Sequence, residues 1–301
     1  MKTLINLFLN SYVKNTLGEI EIFSEDFEIN YSTLGKISGK DALNALKTDG
    51  NFAHRYNIVS NQIEYSDGIN EIVILNAFHF FVTVVRNEYH PLILGGKYKF
   101  IINNGKINKI CFDLEAEMGN TYYAKVNWKY KLFAETEKEA RTVLLDEDKD
   151  KKHEIKDLVY RVMLIIDTLQ KDYIETFTTK NCRVIVSNST YPEQYGPEDI
   201  NEGNSMNYFM DINKELESQN HHSFKIVSIE ANEDKANIKL EMLEPTKMGY
   251  KHFDALSVYK PYFNELWNIE LVKIDGKWYV DKMSNKPISK FQMLTYDTLE
   301  I

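Results

Sequence analysis

The stretch WNIELVKIDGKWYVDKMS, residues 267–284, alternates apolar and polar side chains on both sides of Asp275-Gly276. Asp-Gly suits a two-residue turn whose central residues both take positive φ, so the stretch predicts a tight hairpin. A second stretch, GGKYKFIINNGKINKICFD at residues 95–113, has the same rhythm around Asn104-Gly105. Each half of the chain therefore closes on one such hairpin. Working outward from both, the same order of segments recurs.

Upstream of the second hairpin, EIKDLVYRVMLIIDTLQKDYIETF carries Ile155, Leu158, Val159, Val162, Ile165, Ile166, Leu169 and Tyr173 at helical spacing, which predicts one long helix. RVIVSN (183–188) predicts a short strand, and the Pro- and Gly-marked run at 188–205 a loop. MNYFMDINKELESQ predicts a helix, and FKIVSIEA, KANIKLEML and LWNIELVKI predict strands. In the first half a helix is expected near residues 2–16, followed by strand EDFEINYS. A helix in SGKDALNALKTD follows, with Ser38 as its N-cap. Strands RYNIVSNQIEYS, EIVILNAFHFFVTVVR, GGKYKFIINN and KINKICFDLE complete the half. Helix, strand, helix and then a strand meander, given twice, is an α+β pattern with an internal duplication.

The 301 residues are about two domains' worth. The run AETEKEARTVLLDEDKDKKHE, residues 134–154, is nearly free of aromatics and dense in mixed charge, as expected of a solvated linker. The expected boundaries are 1–133 for the first domain, 134–153 for the linker and 154–301 for the second. No apolar run reaches the length of a membrane span. MKTLINLFLN is interrupted by Asn6 and Asn10, and it fits an amphipathic helix using Leu4, Ile5, Phe8 and Tyr12 better than a signal peptide. A cytoplasmic location is the expectation. A net charge of −9 argues against nucleic acid and anionic membranes as partners. Two cysteines, Cys111 and Cys182, are too few for a disulfide framework, and no Cys/His spacing suggests zinc.

Both halves resemble the nuclear transport factor 2-like superfamily in its SnoaL-like (polyketide cyclase-like) branch. The first half does so through FSEDFEINYSTLGKISGKDAL, HRYNIVSNQIEYSDG and GGKYKFIINNGKINKI. The second does so through IIDTLQKDYIETF, HHSFKIVSIEANEDKANI and WNIELVKIDGKWYVDKM. The resemblance implies two tandem cone-shaped domains, each a curved antiparallel sheet wrapped around a long N-terminal helix, with a pocket at the open end. It also implies that two sheets pack face to face, here within one chain as a pseudo-dimer. The family holds isomerases, dehydratases and cyclases, and also members that only bind ligands or tether partners, so fold alone does not give function.

Proton-moving enzymes of this type need a carboxylate or His inside a mostly apolar pocket. Asp167 interrupts VMLIIDTL, and its spacing places it on the side of the helix that carries Tyr160, near Met163. The resemblance puts the corresponding Asp in the cavity and offers His222 as its partner, an Asp-His pair able to take up and return a proton. An edge-of-stripe capping Asp and a polar loop His are the alternative reading of the same residues. In the first half no Asp interrupts the helix, and the family's His position falls on Asn57. Tyr31, His54, Asn61, His79, Tyr98 and Asp113 are its candidate cavity residues. Alternation places Ala77, His79 and Phe81 on one face of their strand, a pattern that also fits a hydrogen-bonded core His. Nineteen tyrosines and 16 phenylalanines suit an aromatic-lined pocket or a sheet core. No metal or cofactor is expected, and no phosphate-binding Gly loop or nucleophile elbow is present. The leading reading is a small-molecule-binding protein for an apolar or aromatic ligand. The second is a cofactor-independent dehydratase or isomerase using Asp167 and His222. The third is a protein-interaction module with vestigial pockets.

Overall fold

The computed structural model describes residues 2–32, 34–47, 52–119, 151–186, 198–199, 206–207, 209–211, 219–247 and 261–292. The chain divides into two units, with residues 2–119 in the first and 151–292 in the second. Most of the charged 134–153 segment, most of the 188–205 loop and the tail after 292 lie outside the described residues.

In the first unit, α1 (Lys2–Lys14) buries Ile5, Phe8, Leu9 and Tyr12 on one face, the amphipathic helix expected. β1 (Phe23–Tyr31), β2 (Gly35–Ser38) and α2 (Gly39–Ala45) follow. The meander β3 (His54–Ser66), β4 (Glu71–Val85), β5 (Glu88–Asn103) and β6 (Lys106–Gly119) completes the unit. The strand order is β2-β1-β6-β5-β4-β3. The apolar face of α1 packs with Val73, Leu75, Ala77 and Phe81 of β4, Tyr98 and Phe100 of β5, and Phe112 of β6 in one core.

The second unit repeats this plan. α3 (Ile155–Thr168), α4 (Lys171–Phe177), β7 (Thr178–Val186) and the short β8 (Glu198–Asp199) and β9 (Gln219–Asn220) lead to a second meander. That meander is β10 (Ser223–Ala231), β11 (Lys235–Lys247), β12 (Pro261–Ile274) and β13 (Lys277–Gln292). Its order is β10-β11-β12-β13-β7-β8, the order of the first unit with each strand's counterpart in place. Residues 206–207 and 209–211 of the helix expected near 206–219 are helical.

The duplication extends to detail. Both closing turns have positive φ at both residues: Asn104 and Gly105, then Asp275 and Gly276. The last strand of each unit carries two extra residues against its neighbour, at Asn108 and Glu115 in β6 and at Asp281 and Ile288 in β13. Both leading helices stop in the same way. Asn15 and Leu169 take left-handed φ of 61° and 56°. The next residue in each case donates its N–H back to the carbonyl five residues earlier, Thr16 to Ser11 and Gln170 to Ile165, a Schellman ending.

Three expectations need correction. The sheets are mixed, because β1 pairs parallel with β6 and β7 parallel with β13. Hairpin signals report only the strands they join, and the first strand meets the last across the whole meander. The long helix at the start of the second unit is two, since the turn at Leu169 separates α3 from α4. No Gly or Pro marks that break. Ser38 precedes α2 but its side chain makes no capping hydrogen bond.

Candidate functional site

The strongest polar constellation among the expected residues lies inside the second unit. Asp167 sits one residue before the end of α3, and His222 leads into β10; they are 1% and 2% exposed. The ring Nδ1 of His222 meets Oδ1 of Asp167, and the backbone N–H of His222 reaches both carboxylate oxygens at 3.3 Å. A carboxylate only accepts, so Nδ1 carries a proton, and in the neutral ring Nε2 is then the basic nitrogen. The Schellman ending places Asp167 in the last turn of α3, where its side chain reaches the chain entering β10.

Trp267 of β12 stands edge-on to the His222 ring, with centroids 6.3 Å apart and planes at 89°. Its indole N–H donates to Glu265 Oε2 at 2.7 Å, and Asn285 Nδ2 of β13 donates to the same oxygen at 3.0 Å. Glu265 and Asn285 are buried. Alternation along β12 puts Glu265, Trp267, Ile269 and Leu271 on the inner face. Glu265 and Asn285 were not singled out from sequence, and Trp267 was read only as part of the hairpin. A Glu alternating with apolar inward positions two residues before a Trp was the available signal. Met163 is fully buried on α3, while half-buried Tyr160 packs on Phe224 at 5.3 Å.

Strand register fixes which residues of the first unit hold the same places. Matching the extra residues of β6 and β13 pairs Phe112 with Asn285, Tyr98 with Trp267 and Gly96 with Glu265. Carrying the match across the sheet pairs Asn57 with His222. The helix endings pair Val13 with Asp167. Each polar member of the second unit's constellation thus meets a different residue in the first.

What fills the first unit instead is an aromatic core. His79 is fully buried, with Nδ1 at 2.5 Å from Asn57 Oδ1 and Nε2 at 2.8 Å from the Tyr98 hydroxyl. Asn57 Nδ2 is committed to the Leu9 carbonyl of α1 at 2.8 Å, so its oxygen faces His79 and accepts from Nδ1–H. Nε2 then accepts the Tyr98 proton. Burial pushes the His79 imidazolium down to about 3, so the ring is neutral. Burial also raises the phenols of Tyr31 and Tyr98 above their ordinary values. Tyr12, Tyr31, Phe81 and Phe112 close around this group with ring centroids 4.4–6.4 Å apart.

His79, Tyr98 and Tyr31 therefore come together, as one buried packing unit. His54, Asn61 and Asp113 stand apart from them. His54 is exposed at the start of β3, beside Tyr89. Asn61 lies at the irregularity of β3 with φ 54°. Asp113 pairs in register with Lys97, on the sheet face opposite Tyr98. On that face Lys97 Nζ meets Glu115 Oε2 at 2.8 Å with both side chains buried, an ion pair that the sequence did not announce. Among the described residues, no three His, Cys, Asp or Glu side chains gather as metal ligands, and no helix is long and apolar enough to cross a membrane.

No family model matches the chain, and no curated protein matches it. Several solved structures are similar to about half of it. One is a hexachlorocyclohexane dehydrochlorinase, LinA-type3 from Novosphingobium barchaimii LL02, 14% identical, covering 47% of this chain and 88% of that one, with a TM-score of 0.36. A putative scytalone dehydratase from Novosphingobium aromaticivorans DSM 12444 is 13% identical over 46% of this chain and 85% of its own, with a TM-score of 0.35. An NTF2-like protein with a cystatin-like fold from the same organism is 10% identical over 48% of this chain and 84% of its own, with a TM-score of 0.33.

Proposed function

We propose that the second unit is a cofactor-independent proton-transfer site, a lyase or isomerase acting on a small and mostly apolar molecule. The reading places two SnoaL-like copies at 1–133 and 154–301, joined by the charged segment 134–153, in a cytoplasmic protein. The observation that carries it is the Asp167–His222 pair, drawn from a helix and a strand 55 residues apart and held in the interior. His222 Nε2 is the base that takes a proton from carbon and returns it. Asp167 holds the ring and offsets the charge that His222 gains. The aromatic core of the first unit supports a structural role for that copy.

Ligand binding without turnover is the second reading. It is favoured by the depth of the pair, whose residues are 1% and 2% exposed. One experiment separates the two. The full chain is incubated in D2O with a panel of small cyclic ketones and β-hydroxy ketones, and each compound is then weighed by mass spectrometry. Deuterium entering a C–H position next to a carbonyl, and failing to enter with His222→Gln, supports proton transfer. Compounds that protect the protein from unfolding yet take up no deuterium would leave binding alone.

A further inference from the structure

We propose that a second copy of this chain adds its own β10 to the open edge of β10, antiparallel, about a two-fold axis passing between Val227 and Ser228. Among the described residues β10 ends its sheet, pairing with β11 on one side. An open edge presents a row of backbone donors and acceptors to any strand that fits. β10 has no proline, and its exposed side chains include Lys225, Val227 at 50%, Ile229 at 43% and Glu230.

The register explains why the fitting strand is β10 itself. In a regular strand, residues five apart lie on opposite faces, so Lys225 and Glu230 would not share one. β10 carries one extra residue, Val227, between Ile226 opposite Leu240 and Ser228 opposite Lys239. That residue restores the phase. Lys225 lies opposite Glu241 and Glu230 opposite Asn237, both on the outer face, while Ile226 and Ile229 lie opposite the buried Leu240 and Ile238 on the inner face.

A two-fold axis normal to the sheet keeps each face on its own side. With the axis between Val227 and Ser228, Lys225 of one copy lies opposite Glu230 of the other, twice. Ile226 lies opposite Ile229, also twice. The pairs flanking the central Val227 and Ser228 then share a face, with opposite charges on the outer side and apolar side chains on the inner side. The extra residue, a device that elsewhere blunts an edge, here sets a self-complementary register. Glu230 has a neighbour within its own chain, Lys239, at 4.0 Å with both side chains exposed, a contact loose enough to be shared. The corresponding edge strand of the first unit, β3, has Ser60 and Tyr65 where β10 has Lys225 and Glu230, and so lacks the charge pair.

The test is sedimentation velocity on the full chain over a wide concentration range, with Lys225→Glu, Glu230→Lys and the double exchange. Each single variant turns two attractive pairs into two repulsive ones and raises the dimer dissociation constant about tenfold or more. The double exchange restores the pairs with signs reversed and recovers the wild-type constant. Circular dichroism verifies that the exposed substitutions leave the fold intact. A chain that stays monomeric at every concentration overturns the proposal. So does a dimer indifferent to the single variants, or one that the double exchange fails to restore.

Discussion

The carboxylate of Asp167 receives two donors from one residue, the ring Nδ1 and the backbone N–H of His222. The double contact fixes both where the imidazole sits and which nitrogen holds its proton. An amide in place of the carboxylate can present its NH2 to the ring and select the other tautomer, leaving Nε2 protonated and unable to act as a base.

Asp167→Asn is therefore expected to fold and to lower any deuterium-exchange activity by about 100-fold or more. Nitrogen NMR of the imidazole should show the proton moving from Nδ1 to Nε2. Asp167→Leu leaves two buried donors unsatisfied and should cost roughly 1–3 kcal/mol for each, read by urea unfolding.

The neutral His79 makes the first unit sensitive to acid. Its folded-state value of about 3 lies below the ordinary 6.5. Unfolded chains then bind a proton that folded chains refuse, so stability is full above about pH 6.5 and falls as pH drops toward 3. The loss from this group should be about 3 kcal/mol at pH 4.5. Urea unfolding at pH 7 and pH 4.5 measures it. His79→Gln, which keeps a hydrogen-bonding side chain but does not titrate, should shrink the pH difference by most of that amount.

Lys97 and Glu115 should be worth little as a pair and much as individuals. Lys97→Met leaves a buried carboxylate without its cation and is expected to cost about 3–5 kcal/mol. The double change Lys97→Met with Glu115→Leu should recover most of that loss. Two single variants and the double, compared by urea unfolding, give the coupling directly. Additive effects would show that the two charges are stabilised by other neighbours.

Gly96 admits no side chain. A Cβ there would lie 2.2 Å from the Asp113 carbonyl oxygen and 2.6 Å from the Phe112 ring. Gly96→Ala should destabilise the chain by about 3 kcal/mol. Shortening Phe112 to Leu in the same protein should rescue little, because the backbone contact remains. Full rescue would mean that the ring alone was the obstacle.

Most of the meander strands and both closing turns were legible because alternation and Asn-Gly or Asp-Gly signals are local, while β5 begins at Glu88, well before the expected stretch from Gly95. The break at Leu169 was not, since a leucine gives no sign of left-handed backbone. Neither was the parallel pairing of β1 with β6, which no local pattern encodes. Asp167 and His222 stood out by type and by resemblance, while their contact needed the fold to bring them together. Trp267 was passed over because the hairpin it belongs to already had a structural explanation, and Glu265 and Asn285 lie just outside the stretch 267–284 that gave that hairpin. His79 was ambiguous in sequence, and only Asn57 and Tyr98 on its two nitrogens show what its ring does.

The places held by Gly96 and Phe112 in one copy are held by Glu265 and Asn285 in the other. In the first, an absent side chain makes room for a ring; in the second, two short polar groups share the same space through a hydrogen bond. Passing from one arrangement to the other takes two replacements: one order runs through a glutamate forced against the Phe112 ring, the other through Gly with Asn, which leaves the space of the ring unfilled. The two copies therefore differ at these places by a coupled pair of changes rather than by one. Gain or loss of the polar arrangement in either domain is thus a two-step change with a less well-packed protein in between.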